Sequence, residues 1–309
     1  MHAATALAAI APSFILILIG VVLRRGEWLD SGFWKGAEKL THWLFFPAYL
    51  VHTIATAGTM GSTAKSTVLI LGAVTLVITL GVLLGCRYLR VVHATFTSIM
   101  QGSVRFNSFI FLSVASQLLT PEDYGVAAVV VAYMVAISNT VVLLAFGSRD
   151  GSVWGIVLKV CLNPLILASG AGLALNLSGV LLPQALAQPL SALGAPALPL
   201  SLICVGAALQ IPSGEFARLC KTGLLTASIR LGLFPLLAYA LISAWPVPPL
   251  VATLVLLYSV APCASNSYVL ATQYGGDHRL MAFVVAVSTV LSFVPMFLLA
   301  GSLSVMAVP

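Results

Sequence analysis

The chain has 309 residues, of which 60% are hydrophobic and 7% charged, and its mean hydropathy is +1.10. Soluble domains carry roughly a quarter charged residues, so this composition excludes a chain solvated by water alone and makes the lipid bilayer its first partner. The formal net charge of +6 is spread over the loops without a cluster, which excludes a nucleic-acid-binding patch.

A spanning helix needs about 20 apolar residues, and ten stretches of that order follow one another. They are predicted near 5–23, 41–58, 66–86, 93–118, 124–147, 153–176, 189–210, 222–243, 249–273 and 279–304. Span one has no basic segment ahead of it, and Arg24 and Arg25 follow it, so it reads as a retained span and not as a cleaved signal. The five cysteines (Cys86, Cys161, Cys204, Cys220 and Cys263) form no CxxC pair and read as small packing residues, implying neither disulfide nor metal.

The basic residues sort by side. Arg24, Arg25, Lys35, Lys39, Arg87, Arg90, Arg149, Lys159, Arg218, Lys221 and Arg279 follow the odd-numbered spans, and Lys65 alone lies on the other face. By the positive-inside rule both termini are then expected outside the cytoplasm. Arg105 and Arg230 fall within spans.

The chain also repeats itself. Pro12, Gly20 and Pro47 recur 152 residues later as Pro164, Gly172 and Pro199, and Asn107-Ser108-Phe109-Ile110 of span four is answered by Asn266-Ser267-Tyr268-Val269 of span nine. Five spans separate each matched pair, and an odd number of crossings turns the second half upside down. The expected fold is an all-α polytopic membrane protein of ten transmembrane helices in a 5+5 inverted repeat, with residues 1–150 forming one half and 151–309 the other.

Span four carries a polar stretch, Gln101-Gly102-Ser103-Val104-Arg105-Phe106-Asn107-Ser108, and span nine carries Pro262-Cys263-Ala264-Ser265-Asn266-Ser267. Proline removes a backbone donor, and freed backbone groups at membrane depth must be packed in protein or line a cavity. Asn and Ser are helix-capping residues, so Asn107-Ser108 and Asn266-Ser267 are each expected to start a half-helix. Two such amino ends pointing together make an anion site.

Arg105 lies on the order of 18 Å from either end of span four at helical rise. Its charge cannot face lipid cheaply there, and no Asp or Glu lies inside a span, so its partner is either an anionic substrate or backbone carbonyls. Arg230, nine residues from Lys221, reads as a partly snorkelling side chain. His52 and His93 read as packed or interfacial residues before proton carriers. Ser138-Asn139-Thr140 of span five, and Ser288, Thr289 and Ser292 of span ten, are cavity-lining candidates or helix-packing glue. Enzyme motifs are missing: there is no phosphate loop, no HExxH and no nucleophile elbow, so the chain is not expected to be an enzyme or to need a cofactor.

These residues resemble the auxin efflux carrier family, which includes bacterial malonate-type permeases. The likeness rests on Leu44-Phe45-Phe46-Pro47, Arg105-Phe106-Asn107, Asn163-Pro164, Ala197-Leu198-Pro199-Leu200-Ser201-Leu202 with Gly206-Ala207, and Ala261-Pro262 through Tyr268 to Gly275. It implies a fold similar to bile-acid symporters and sodium/proton antiporters, with broken spans four and nine crossing at the centre. Spans one, two, six and seven would be a scaffold, through which homodimers form, and spans three to five with eight to ten a transport domain moving like an elevator in the bacterial inner membrane. The substrate implied is a small organic anion, malonate first and an auxin-like acid second, driven by a proton or sodium gradient. Arg105, Asn107, Ser108, Pro262, Asn266, Ser267 and Tyr268 at the crossover, with Pro47, Ser138 and Asn139, would form its site. A sodium-coupled bile-acid-type symporter, or a receptor or channel on the same scaffold, are the rival readings. The short connection Gly147 to Ser152 leaves no room for a regulatory loop, and the missing acidic pair argues against cation exchange.

Overall fold

In a computed structural model, which describes residues 2–57, 61–146, 158, 162–179, 182–209, 216–273 and 275–306, the chain is helical without strands among those residues. The expectations on the Gly147–Ser152 connection, Arg149, Lys159, Cys161 and Tyr274 lie outside them. Six helices are long and apolar enough to cross a membrane among the described residues: Ala3–Arg25, Gly61–Tyr88, Pro121–Phe146, Gln184–Ala208, Ala217–Ala244 and His278–Leu303. Each coincides with a predicted span.

Of the other four predicted spans, two, four and nine are displaced or interrupted, and span six is described only from residue 162 onward apart from residue 158. Span two belongs to a helical path that starts ten residues earlier than expected, because Asp30 accepts from Phe33 N at 2.7 Å and caps α2 (Ser31–Leu40). The path runs on through a π-helical turn, Thr41–Phe45, into α3 (Phe46–Ala55). Pro47 explains the turn: its ring would strike the carbonyl one α-turn back, and the wider π turn makes room for it. Span three is α4 (Gly61–Tyr88). Span four is two helices, α5 (His93–Val104) and α6 (Ser108–Leu118), and α7 (Pro121–Phe146) follows. In the region of span six the helix α8 (Pro164–Ser178) opens at Asn163-Pro164, a cap followed by the proline that a first helical position favours.

The remaining path is α9 (Gln184–Gly194), α10 (Ala197–Ala208), α11 (Phe216–Ser228), a second π-helical turn Ile229–Leu233, α12 (Phe234–Ala244), α13 (Pro249–Ser259), α14 (Ser267–Gln273) and α15 (His278–Met306). Pro235 stands behind the second π turn as Pro47 stands behind the first.

Helices associate closely where they carry glycine. A side chain on Gly20 of α1 (His2–Arg25) would strike the Ile203 carbonyl of α10, and one on Gly206 of α10 the Ile17 carbonyl of α1. On α8, a Cβ at Gly172 would sit 3.1 Å from the Val51 carbonyl of α3. Gly20 and Gly172 are 152 residues apart, and so are Val51 and Ile203. The offset that relates the two glycines therefore also relates the backbones they touch.

Around these pairs, α4 packs on α7, α13, α12 and α5, and α15 packs on α1, α11, α14 and α5. Leucine, valine and phenylalanine side chains exposed to the surround, such as Leu18, Leu69, Leu80, Leu236 and Leu298, form the apolar exterior that lipid requires.

Candidate functional site

Between α5 and α6 the backbone leaves the helical region, with Arg105 at ψ 142° and Asn107 at ψ 99°. Between α13 and α14 it does so from Ala261 to Ala264. The two stretches touch, because Asn107 N donates to the Pro262 carbonyl at 2.8 Å. Freed backbone groups at a proline are thus answered by the facing segment, as burial away from water demands. The Phe106 ring lies 4.2 Å from that of Tyr258 and seals one flank.

Asn107 is 1% exposed, and its Oδ1 accepts from Phe109 N and Ile110 N, both at 3.1 Å. It is the cap expected of it. Because Oδ1 faces two amides, the other end of the carboxamide must be the donor. That donor, Nδ2, is buried and takes no partner among the described residues. Asn266 stands just ahead of α14 as expected, but it is exposed, and its side chain makes no capping bond among the described residues. α14 has only seven residues, so the anticipated symmetry of two capping asparagines is not met.

Arg105 is 5% exposed. Its Nη1 lies 3.2 Å from Ser267 Oγ and 3.4 Å from Gln101 Oε1, and no carboxylate pairs with it among the described residues. Gln101 has two settings. Turned the other way, its nitrogen donates to the Ser267 carbonyl at 3.2 Å and its oxygen accepts from Ala271 N at 3.3 Å, which leaves Ser267 as the side-chain partner of Arg105. The second setting satisfies both ends of the carboxamide and fits better with a fully buried residue.

A recess forms here. Arg105, Asn107 and Ser108 meet Ser138 and Asn139 of α7, Asn163 at the start of α8, His42 of the first π turn, and Ser265 and Asn266. Arg105, Asn139, Asn163, Asn266 and His42 also line a cavity of about 1260 Å³, so the recess opens into this vestibule. Arg24, Lys35, Lys39 and Arg279 stand on the vestibule wall together with Trp34, Trp43 and Tyr268.

Of the ten residues expected at a site, Arg105, Asn107, Ser108, Ser138, Asn139 and Asn266 converge on the recess. Tyr268 lines the vestibule. Ser267 and Pro262 touch the site indirectly, through Arg105 and the Asn107 amide. Pro47 lines neither space, and its place is behind the π turn. His42, Asn163 and Gln101 are additions. Asn163 is spent partly as a cap, its Oδ1 accepting from Leu165 N at 2.9 Å. His52 and His93 stay outside both spaces, and His93 is exposed at the start of α5. Arg230 does not snorkel: it is fully buried and bonded to carbonyls. The four described cysteines are free thiols.

Residues 152–300 match the family described as Membrane transport protein, the auxin efflux carrier domain. Over this stretch, just under half of its length, the chain is similar to that family. Membrane transport proteins of this kind are transporters and not enzymes, in keeping with the apolar helices and with a recess that gathers one guanidinium, carboxamides and hydroxyls. The matched segment holds Asn163, Pro262, Asn266 and Ser267, and so includes one of the two touching stretches. No curated protein matches the chain.

Proposed function

We propose that this chain is a secondary active carrier of a small organic anion, a carboxylate of the malonate or auxin-like type, working by an elevator-type movement. One observation carries the reading: the buried Arg105 guanidinium, with neutral partners only, shares a recess with the orphan Nδ2 donor of Asn107. A buried donor without an acceptor costs about 1–3 kcal/mol, and a carboxylate oxygen removes that cost while pairing with the guanidinium. The amino end of α6, eleven residues long, adds its partial positive charge. Asn139, Asn163, Asn266, Ser108 and Ser138 then orient the rest of the molecule.

The wider architecture has support of the same physical kind. Close packing of α1 on α10 and of α3 on α8 is what a scaffold of spans one, two, six and seven in an inverted repeat requires. The remaining helices, with the two interrupted spans at their centre, would be the moving body. Arg24, Lys35, Lys39 and Arg279 on the vestibule wall belong to the face that the positive-inside rule assigns to the cytoplasm, so the described state is the inward-open one.

The test is flux in proteoliposomes with a panel of mono- and dicarboxylates. Saturable uptake stimulated by anion on the far side is expected for the unaltered protein, and its loss in Arg105→Ala, with the melting transition retained. Unchanged uptake in that variant overturns the charge-neutralising role.

A further inference from the structure

Arg230 lines neither the recess nor the vestibule, yet it is the largest of the fully buried side chains. It sits in the π-helical turn ahead of α12, and the wider turn rotates it inward. Its Nε donates to the Ala261 carbonyl at 2.9 Å and its Nη2 to the Tyr258 carbonyl at 2.8 Å. The guanidinium carbon stands 4.5 Å from the Phe234 ring centroid and 5.3 Å from that of Tyr258. The two rings, 5.8 Å apart, lie together on one flank of the guanidinium, where they exclude water and stabilise a cation.

The acceptors decide what the residue does. α13 ends at Ser259, so the Tyr258 carbonyl belongs to its last turn: its normal donor position is Pro262, which has no N–H, and it takes Ala261 N at 3.1 Å instead while carrying the negative end of the helix dipole. Ala261 opens the extended stretch, and the next carbonyl, that of Pro262, takes the Asn107 amide. Unwound carbonyls and half-helix carboxyl ends are the ligands with which carriers hold a dissociable alkali cation. Here they hold a guanidinium.

We infer that Arg230 is a resident counter-cation of the crossover: it stands where an alkali ion would bind the carbonyls after α13, and it preforms the Pro262–Asn107 contact without one. The carbonyls after α13 then hold a cation in the absence of sodium, with Nε and Nη2 bonded and Nη1 buried without a partner among the described residues, and Arg230 is a positioning residue for the anion site. The consequence for transport rests on the carrier reading, whereas the cation site does not. Removing the side chain leaves two carbonyls around a gap that a small cation fills.

The experiment is the melting midpoint of the purified full chain in detergent, without substrate, in choline, sodium and methylguanidinium chlorides at equal ionic strength. The unaltered protein is expected to melt at one temperature in choline and sodium. Arg230→Ala is expected to melt lower in choline and to regain at least half of the loss in methylguanidinium, or in sodium if the gap closes to the smaller ion. Three outcomes overturn the inference: a sodium-specific rise in the unaltered protein, an unchanged midpoint in the variant, or a lowered midpoint that neither cation raises, which marks a merely structural role. Where Arg230→Ala gives no folded protein, Arg230→Lys and the sodium-against-choline comparison on the unaltered protein still decide. Because no flux is read, failure here is distinct from failure of the Arg105 test.

Discussion

At the scale of single residues, the division of labour within Asn107 is the sharpest feature. Oδ1 is committed to the first turn of α6, and Nδ2 is left for a guest. Asn107→Asp keeps the capping oxygen and replaces the donor by a second oxygen and a negative charge, so the protein should stay folded while anion affinity falls at least tenfold, or about 1.4 kcal/mol. Asn107→Ala loses the cap as well, with about 1 kcal/mol of stability. Titration of the purified variants by calorimetry, beside their melting curves, separates the two effects; equal affinity in Asn107→Asp and the unaltered protein refutes the donor role. This residue was legible in the sequence because Asn-Ser beside a central arginine breaks a helix by local chemistry alone. Arg230 was not. Its distance from Lys221 counted along an α-helix suggests a helix end, whereas its inward direction is set by a π turn and its acceptors exist only once α13 has stopped. Nor were His42, Gln101 and Asn163, which reach the site from α2–α3, α5 and α8 through tertiary packing.

At the scale of elements, the tight glycine contacts and the interrupted helices make opposite demands. Gly20 and Gly206 bring α1 and α10 to backbone contact, so Gly20→Ala has no space that a flexible side chain could yield. The helices must part, and the melting midpoint should fall by several degrees. At Gly172 the nearest backbone atom is 3.1 Å from the added methyl, and the cost should be smaller. Gly81 of α4 meets nothing within 4 Å, so Gly81→Ala should be neutral or stabilising by up to about 1 kcal/mol through helix propensity. Ranking the three midpoints checks the packing, and a Gly20→Ala protein as stable as Gly81→Ala contradicts it. The repeat offset that links Gly20 with Gly172 was readable from prolines and glycines, but the touching backbones, Ile203 and Val51, carry no mark in the sequence. Carbonyls make those contacts, and any residue has one. The start of span two was misplaced for a related reason: α2 is too polar to read as part of a span, and it joins α3 only through the π turn that Pro47 requires.

At the scale of the whole molecule, the vestibule connects charge sidedness with access to the site. Its wall carries Arg24, Lys35, Lys39 and Arg279 against one acid, Glu38, and this excess of positive charge attracts an anion and hands it toward the guanidinium of Arg105 at the floor. If these residues face the cytoplasm, an exposed vestibule position such as Ala208 of α10 must be reached from that face alone in the described state, and Lys65 at the head of α4 from the other. Ala208→Cys and Lys65→Cys, each in a background with the native cysteines replaced, test this with a membrane-impermeant maleimide on right-side-out and inverted vesicles. The expected result is opposite sidedness, with Ala208→Cys labelled only in inverted vesicles and Lys65→Cys only in right-side-out ones. Labelling of both from one face would refute the orientation, because the two positions stand on opposite sides of the expected membrane. Alternation adds a second requirement: an anion trapped on the external side should slow labelling of Ala208→Cys by drawing the population outward. A labelling rate that no transported anion alters would leave the vestibule a static cleft, and an elevator movement could not then be the way the recess changes sides.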